Sequence, residues 1–253
     1  MSTQQRKMRG VSGKFDLEWL GGPSIRFMGD NVEGFVDPFF SNWSDGEWIR
    51  VSPPSIDPIS VKRCDLILIT HEHEDHCDPV TIRALVKNNN PLIFAPEPSA
   101  IRLRNELRKL AEEMNLYEVE AGDKRAFRSL TIQVFQTFDP LSKGAVGYIL
   151  DGGGKRVAFM GDSLFDKNVL SVVKTVDLVF ISVGNNPPGK KYYYSIEELL
   201  EAASVLYPTL VVPIHWDLWT KTFIDLSSHE FREYLSSASG NILIPSLNKE
   251  FTL

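Results

Sequence analysis

The 253-residue chain contains 43% hydrophobic and 24% charged residues, the proportions of an ordinary soluble globular protein. Its formal net charge of −6 gives no overall attraction for nucleic acid, although a local basic groove would escape this test. The sequence has no apolar stretch near the roughly 18 residues that suggest a membrane span, and its two cysteines are too few for a disulfide framework. We therefore expect a cytoplasmic protein with no membrane or nucleic-acid partner, whose oligomeric state composition leaves open.

The chain begins with a polar lead-in at residues 1–13, which we expect to be flexible, and short strands follow it. The predicted strands are Phe15 to Leu20, Ser24 to Met28 and Gly34 to Asp37. Residues 43–60 carry three prolines and two tryptophans with little periodicity, which predicts an irregular excursion over the surface. Such loops often border active sites.

Asp65 to Thr70 forms a continuous apolar run that predicts a buried strand. After a polar cluster, Asp78 and Pro79 supply an N-cap and a first-turn proline for a helix running to about Lys87. Leu92 to Ala95 resembles another short strand, and the spacing of apolar residues over 99–114 predicts a second helix.

The second half of the chain also alternates strands with helices. Predicted strands are Ser129 to Phe135, Ala145 to Leu150, Arg156 to Met160, Asp177 to Ser182 and Thr209 to Pro213. A helix is predicted near 167–174, and the capping-box patterns Ser195-x-x-Glu198 and Ser227-x-x-Glu230 predict two further helix starts. Because we find no repeat and no break in composition, we predict a single α/β domain over residues 14–253.

Four potential metal ligands occupy six positions after the strand that ends at Thr70: His71, His73, Asp75 and His76. Imidazoles and carboxylates at this density predict a transition-metal site. His71 and His73, two apart in a nearly extended segment, point to one side, whereas Asp75 and His76 follow after the chain starts to bend. The cluster can therefore serve two neighbouring metal positions.

Two further candidates follow other predicted strands, Asp162 after the strand ending at Met160 and His215 after the strand ending at Pro213. Ligand sites in open α/β sheets gather beyond the carboxyl ends of strands, so these loops can converge with the cluster. Alone, each residue would be explained as a turn aspartate or a buried histidine. Beside the cluster we interpret both as metal ligands, with Asp162 able to bridge two ions.

These motifs, His-x-His-x-Asp-His at 71–76, Gly-Asp at 161–162 and His215 on a late strand, resemble the metallo-β-lactamase superfamily. Further motifs are similar to its L-ascorbate-6-phosphate lactonase-like branch: Trp19-Leu-Gly-Gly-Pro-Ser-Ile25, Thr137-Phe-Asp139, Gly161-Asp-Ser163, Gly184-Asn-Asn-Pro187 and Pro213-Ile-His-Trp-Asp217. The resemblance implies a four-layer αβ/βα sandwich with a metal site at one edge of its two sheets. It also implies a metal-dependent hydrolase that uses a metal-bound hydroxide.

The resemblance also implies a ligand set. One ion would be held by His71 and His73, a second by Asp75, His76 and His215, and Asp162 would touch both. Many superfamily members carry one more histidine between the cluster and the bridging aspartate, but none of the five histidines of this chain lies between 76 and 162. Asp139 is the candidate substitute, and a turn residue before Pro140 is an equally open interpretation. Replacing imidazole by oxygen would tilt preference from Zn²⁺ toward Mn²⁺, with one or two ions bound.

The likeness points to a lactone or a phosphorylated sugar-acid ester as the small-molecule substrate, with Asp75 orienting or deprotonating the attacking water. An anionic substrate needs anchors, for which Asn185, Asn186, Lys190 and Trp216 are candidates, although a polar loop and ordinary packing explain them at least as well. Tyr192 to Tyr194 and Trp216 to Trp219 could also wall a pocket, or simply pack. Two alternatives stay open: a phosphodiesterase or nuclease of the same fold, and a non-catalytic metal-binding protein with a closed coordination shell.

Overall fold

The computed structural model describes residues 14–29 and 31–253, so the lead-in predicted at 1–13 lies outside the described residues. One sheet has seven strands: β1 (Phe15–Trp19), β2 (Ile25–Gly29), β3 (Val32–Val36), β4 (Leu66–Leu68), β5 (Leu92–Ala95), β6 (Asn115–Glu118) and β13 (Glu250–Thr252). Their order across the sheet is β13-β1-β2-β3-β4-β5-β6. The strands from β3 to β6 are parallel, and those from β13 to β3 are antiparallel.

A second sheet has six strands: β7 (Lys124–Phe127), β8 (Leu130–Gln136), β9 (Val146–Gly152), β10 (Lys155–Phe159), β11 (Leu178–Ser182) and β12 (Leu210–Ile214). Its order is β12-β11-β10-β9-β8-β7, with β10, β11 and β12 parallel. Both β8 and β10 pair antiparallel with β9, so these two strands run in the same direction. The hairpin between β9 and β10 turns through Gly153 and Gly154, both with positive φ, where glycine is favoured.

The described residues form five α-helices: α1 (Pro79–Asn89), α2 (Glu97–Leu107), α3 (Lys167–Val173), α4 (Ile196–Leu206) and α5 (His229–Ala238). Alternation along β4 shows how the layers stack, since neighbouring side chains of a strand face opposite sides of the sheet. Leu66 and Leu68 pack into a core shared with Tyr148 of the second sheet, whereas Ile67 packs with Ile82 of α1. The helices α3 and α4 pack on the second sheet, which completes the mixed α/β sandwich expected from the sequence.

Most predicted elements are confirmed within a few residues. The helix α1 begins after Asp78, whose side chain accepts a hydrogen bond from Val80 N, and α4 begins with a complete Ser195/Glu198 capping box. The second capping-box prediction is wrong by one residue, because Ser228 rather than Ser227 caps α5.

Two other kinds of prediction also need correction. The helix predicted to reach residue 114 ends at Leu107, because Arg108 adopts a positive φ of 48° and a 3₁₀ turn follows. Three short strands were missed, β6, β7 and β13, all at the edges of sheets, where mostly exposed residues carry little hydrophobic pattern. None of the described helices is long and apolar enough to cross a membrane.

Candidate metal centre

Five loops meet at one edge of the molecule, and each follows the carboxyl end of a strand. The strands β3 and β4 lead into Asp37 and the cluster at 70–76, while β8, β10 and β12 lead into Asp139, Asp162 and His215. Within each sheet these strands run in the same direction, so their carboxyl ends lie at a common edge. This arrangement brings residues up to 144 positions apart into contact.

The first donor group joins His71, His73, Asp139 and Asp162. The Oδ2 atom of Asp139 lies 3.2 Å from His71 Nε2 and 3.3 Å from His73 Nδ1. Asp139 also accepts hydrogen bonds at Oδ1 from the backbone of Leu141 and Ser142, so one oxygen shapes the turn and the other faces the imidazoles. Both interpretations of Asp139, turn residue and substitute ligand, are therefore compatible in one side chain.

The second donor group joins Asp75, His76 and His215. The Nε2 atom of His215 lies 3.1 Å from Asp75 Oδ2, and the rings of His76 and His215 stack with centroids 5.4 Å apart. Asp162 is a member of the first donor group and also reaches the second, since its Oδ2 lies 3.2 Å from His76 Nε2 and its Oδ1 lies 3.8 Å from His215 Nε2.

The buried side chain of Asp37 holds Thr70 and His76 in position through hydrogen bonds. Its Oδ2 atom accepts hydrogen bonds from His76 Nδ1 at 2.8 Å and from Thr70 Oγ1 at 2.6 Å, and its Oδ1 accepts one from Thr70 N. With Nδ1 of His76 bound in this way, only Nε2 of that ring is left to face the two donor groups. Such a carboxylate–histidine pair fixes ring orientation in metal sites.

Asp75 is held by a tryptophan as well as by His215. The indole Nε1 of Trp219 donates a 2.8 Å hydrogen bond to Asp75 Oδ2, and both residues are buried. This bond turns Oδ1 toward His76, whose Nε2 lies 3.9 Å from it.

The surroundings of His71 and His76 shift the pKa values of the two imidazoles in opposite directions. Burial lowers the pKa of His71, and its imidazole neighbours lower it further, so this ring stays neutral. Burial also acts to lower the pKa of His76, but the carboxylates of Asp162, Asp75 and Asp37 outweigh it and raise that pKa well above its ordinary value. The buried carboxylates of Asp37, Asp75 and Asp162 therefore stabilise a positive charge placed between them.

The donor atoms fit a divalent cation. Buried polar atoms normally have hydrogen-bond partners, yet His76 Nε2 and Asp162 Oδ1 have none among the described residues, even though Asp162 Oδ2 lies close to His76. Within each donor group the ligand atoms lie within 4.8 Å of one another, a spacing that an ion bonded at about 2 Å can bridge. The cluster is thus able to bind metal ions.

A cavity of about 260 Å³ opens beside both donor groups. His73, Asp75, Asp139 and Asp162 contribute to its lining, so the ligand atoms are accessible from it. The rest of the lining is formed by Trp43, Asp45, Trp48, Glu74, Leu141, Tyr192, Tyr193 and Trp219. The irregular loop at 43–60 therefore does border the site.

The predicted substrate anchors lie elsewhere. Asn185 and Asn186 line a separate cavity with Ser195, and the Asn186 side chain clamps its own loop by bonding the backbone of Tyr192 and Tyr193. Trp216 is buried in the core, where its ring lies 5.1 Å from that of Trp19.

Lys190 is exposed in a turn, where its backbone N–H donates to Pro187. The described residues that line the cavity beside the donor groups therefore include none of these four predicted anchors.

Sequence reasoning missed two positioning residues, Asp37 and Trp219. A signal for Asp37 was present, because it follows the apolar strand end Val36 just as the other ligands follow theirs. Trp219 gave no such signal, since its contact with Asp75 joins loops far apart along the chain.

The family follows from a sequence comparison. Residues 35–216 match the model of the beta-lactamase superfamily domain, and this segment holds both donor groups. The chain belongs to the β-lactamase superfamily. Within that superfamily the architecture is the metallo-β-lactamase fold, since the solved metallo-beta-lactamase fold protein YhfI from Bacillus subtilis aligns with a TM-score of 0.71 over 95% of this chain and 100% of its own, at 11% identity.

Two curated proteins are similar in sequence to this chain. A UPF0173 metal-dependent hydrolase of Symbiobacterium thermophilum is 24% identical over 79% of this chain and 91% of its own length. A probable L-ascorbate-6-phosphate lactonase of Salmonella heidelberg is 24% identical, over 68% of this chain but only 54% of its own length.

Proposed function

We propose that the protein is a metal-dependent hydrolase whose centre holds two divalent ions. The observation that carries this proposal is the shared carboxylate: two donor groups meet at Asp162 and border one solvent-accessible cavity. His71, His73 and Asp139 would hold one ion, Asp75, His76 and His215 the other, and Asp162 would bridge them. The name of the metal-dependent hydrolase relative supports the same reaction class.

The open cavity supports catalysis over a purely structural role. A structural ion has a closed shell of protein ligands, whereas a catalytic ion keeps a position for water or substrate. Here the ligand residues His73, Asp75, Asp139 and Asp162 line the cavity, so substrate can approach them directly. When bound, divalent ions in such a site supply Lewis acidity and lower the pKa of water toward about 7.

Asp75 is the proposed catalytic carboxylate. Burial acts to raise its pKa, but the imidazoles of His76 and His215 hold it well below the ordinary value, so the group is ionised at neutral pH. Because Trp219 and His215 both bond Oδ2, the carboxylate has a fixed orientation beside the cavity. It would accept a hydrogen bond from the attacking water and align that water with a carbonyl carbon.

The substrate class that we propose is a lactone or another carboxylic ester. Support comes from the likeness to the lactonase relative, which covers 68% of this chain. The first donor group offers two imidazoles and two carboxylates, and this oxygen content favours Mn²⁺ as much as Zn²⁺.

The test combines elemental analysis of gently purified protein with activity on lactones, carboxylic esters and phosphodiesters after adding back Mn²⁺ or Zn²⁺. We expect two ions per chain and turnover of the carboxylic panel. Asp162→Asn should lower kcat by about a thousandfold or more, because one change disturbs both donor groups. Exposed His229 offers a matched control, and His229→Gln should retain metal content and activity. Wild-type turnover in Asp162→Asn would refute the bridging role. Cleavage of phosphodiesters alone would show that the protein is a phosphodiesterase instead.

A further inference from the structure

Aromatic rings wall the cavity above the metal centre. Trp48 is roughly perpendicular to Tyr192 and to Trp219, with ring centroids 5.5 and 6.1 Å apart. Trp43 meets Trp219 at 81° with centroids 5.7 Å apart. The three tryptophans pack in one hydrophobic cluster with Phe39 and Leu218, and together with Tyr192 they line the cavity as an aromatic box. Tyr193 and Leu141 complete its apolar lining.

This box is built into the fold. The loop that carries Trp43 and Trp48 is hydrogen-bonded to the segment that carries Trp219, through Val51 N to Leu218 O at 2.7 Å and Thr220 N to Ile49 O at 3.0 Å. Asp45 accepts hydrogen bonds at Oδ1 from the backbone N–H groups of Glu47 and Trp48 and so shapes the loop itself. The walls are therefore positioned before a ligand arrives.

None of the described residues that line the cavity is a lysine or an arginine. Outside the donor groups its charged members are Asp45 and Glu74, both acidic. Of the nearby cations, Lys221 bonds Glu47 and lies 5.1 Å from the centre of the Trp48 ring, and Arg102 bonds Glu74. Arg50 donates hydrogen bonds to the backbone carbonyls of Ser41 and Ser52.

Tyr193 is buried, and its ring lies 4.7 Å from that of His215, so it adds aromatic surface to the lining. The wall of the box is thus apolar, and its rim is negative.

We propose that this box selects substrates whose side group is apolar or cationic and excludes those whose side group is anionic. The inference rests on the proposed hydrolase function and names its substrate class. Aromatic faces carry partial negative charge, so they attract alkyl groups and cations but repel anions. Away from the two proposed ions, an anionic side group would meet the carboxylates of Asp45 and Glu74 and no lysine or arginine among the described lining residues. At about 260 Å³ the space takes a small group, and beyond those ions it offers a phosphorylated sugar acid no basic side chain.

Phenyl acetates with a para methyl, trimethylammonium or sulfonate group test the charge preference, because water cleaves the same ester bond in each to acetate and a phenol. Rates are divided by those of alkaline hydrolysis, which removes the difference in leaving group. We expect kcat/KM for the sulfonate to be at least about tenfold below both other esters. Equal or faster cleavage of the sulfonate would overturn the inference.

Substitutions of residues that line the box test whether those residues cause the charge preference. Leu141 is 64% exposed and lines the cavity, so Leu141→Lys should raise kcat/KM for the sulfonate about tenfold, while Leu141→Gln should keep the discrimination. Trp48→Ala should raise KM for the methyl ester about tenfold, and Trp48→Phe should restore most of it. Half-exposed Tyr234 on α5 serves as the aromatic control, since Tyr234→Ala should change neither value. An unchanged KM in Trp48→Ala would also contradict the proposal.

Binding separates this inference from the hydrolase proposal. Three of the five tryptophans line the cavity, so ligand binding should change the intrinsic fluorescence of the metal-loaded protein. Benzyl alcohol and benzyltrimethylammonium should bind at least about tenfold more tightly than benzenesulfonate. If this order holds but no ester is cleaved, the hydrolase proposal fails and the box preference stands. If esters are cleaved with the sulfonate preferred, the hydrolase stands and the box preference fails.

Discussion

Trp219→Phe tests whether a single indole positions the proposed catalytic carboxylate. The change keeps an aromatic ring in the cavity wall but removes the N–H that donates a 2.8 Å hydrogen bond to Asp75 Oδ2. A hydrogen bond to a buried charged group contributes about 1.5–3 kcal/mol, and each 1.4 kcal/mol corresponds to about a factor of ten. Because Asp75 belongs to the second donor group, we expect affinity for one of the two ions, and kcat with it, to fall about 10- to 100-fold.

The assay is competition with a chromophoric chelator, which gives the affinity of each metal position separately. Trp43→Phe is the matched control, because Trp43 packs on the same Trp219 ring but makes no hydrogen bond to the described residues. It should leave both metal affinities unchanged. Since Trp219 also lines the cavity, a rise in KM with normal kcat and normal metal affinity would show that the ring acts only as a wall. That result would refute the positioning role.

Three further predictions concern the centre and its support. Asp37→Asn keeps the shape of the side chain but removes the charge that holds His76 Nδ1, so metal affinity measured by calorimetry should fall about 10- to 100-fold, and an unchanged affinity would contradict this role. Chelation should lower Tm by roughly 8–16 °C in scanning calorimetry, because an ion at 1,000 times its Kd stabilises the fold by about 4 kcal/mol; a constant Tm would argue against a bound ion. Gly161→Ala should lower the free energy of unfolding, measured in urea, by about 2–5 kcal/mol, because φ is +61° and the new Cβ would lie 2.6 Å from Thr70 Oγ1. Wild-type stability of this variant would rule out the close contact.

Local sequence was enough for the elements that carry strong local signals. The strand ahead of the cluster, the start of α1 at Asp78 and the capping box of α4 were all predicted, because burial periodicity and capping act over a few residues. The edge strands β6, β7 and β13 were not, because pairing with a neighbour rather than an apolar pattern holds them in place.

The residues of the candidate site likewise fall into two groups, those that local sequence predicts and those whose role appears only in the folded structure. His71, His73, Asp75 and His76 stand out because their spacing alone is unusual for packing. Asp139 was ambiguous in the sequence, and its position 3.2 Å from His71 Nε2 came only with the fold. The predicted anchors Asn185, Asn186 and Lys190 share a polar loop whose direction no local rule could give.

The sequence by itself determined which donor atoms are available and that they follow strand ends, because residue type and local hydrophobic pattern are properties of neighbouring positions. Only the tertiary structure decided which atoms face one another, that Asp37 and Trp219 orient the ligands, and that aromatic rings rather than lysines surround the cavity. The physical reason is that these contacts join loops 39 to 144 residues apart, and the direction of each loop is set by the packing of two whole sheets.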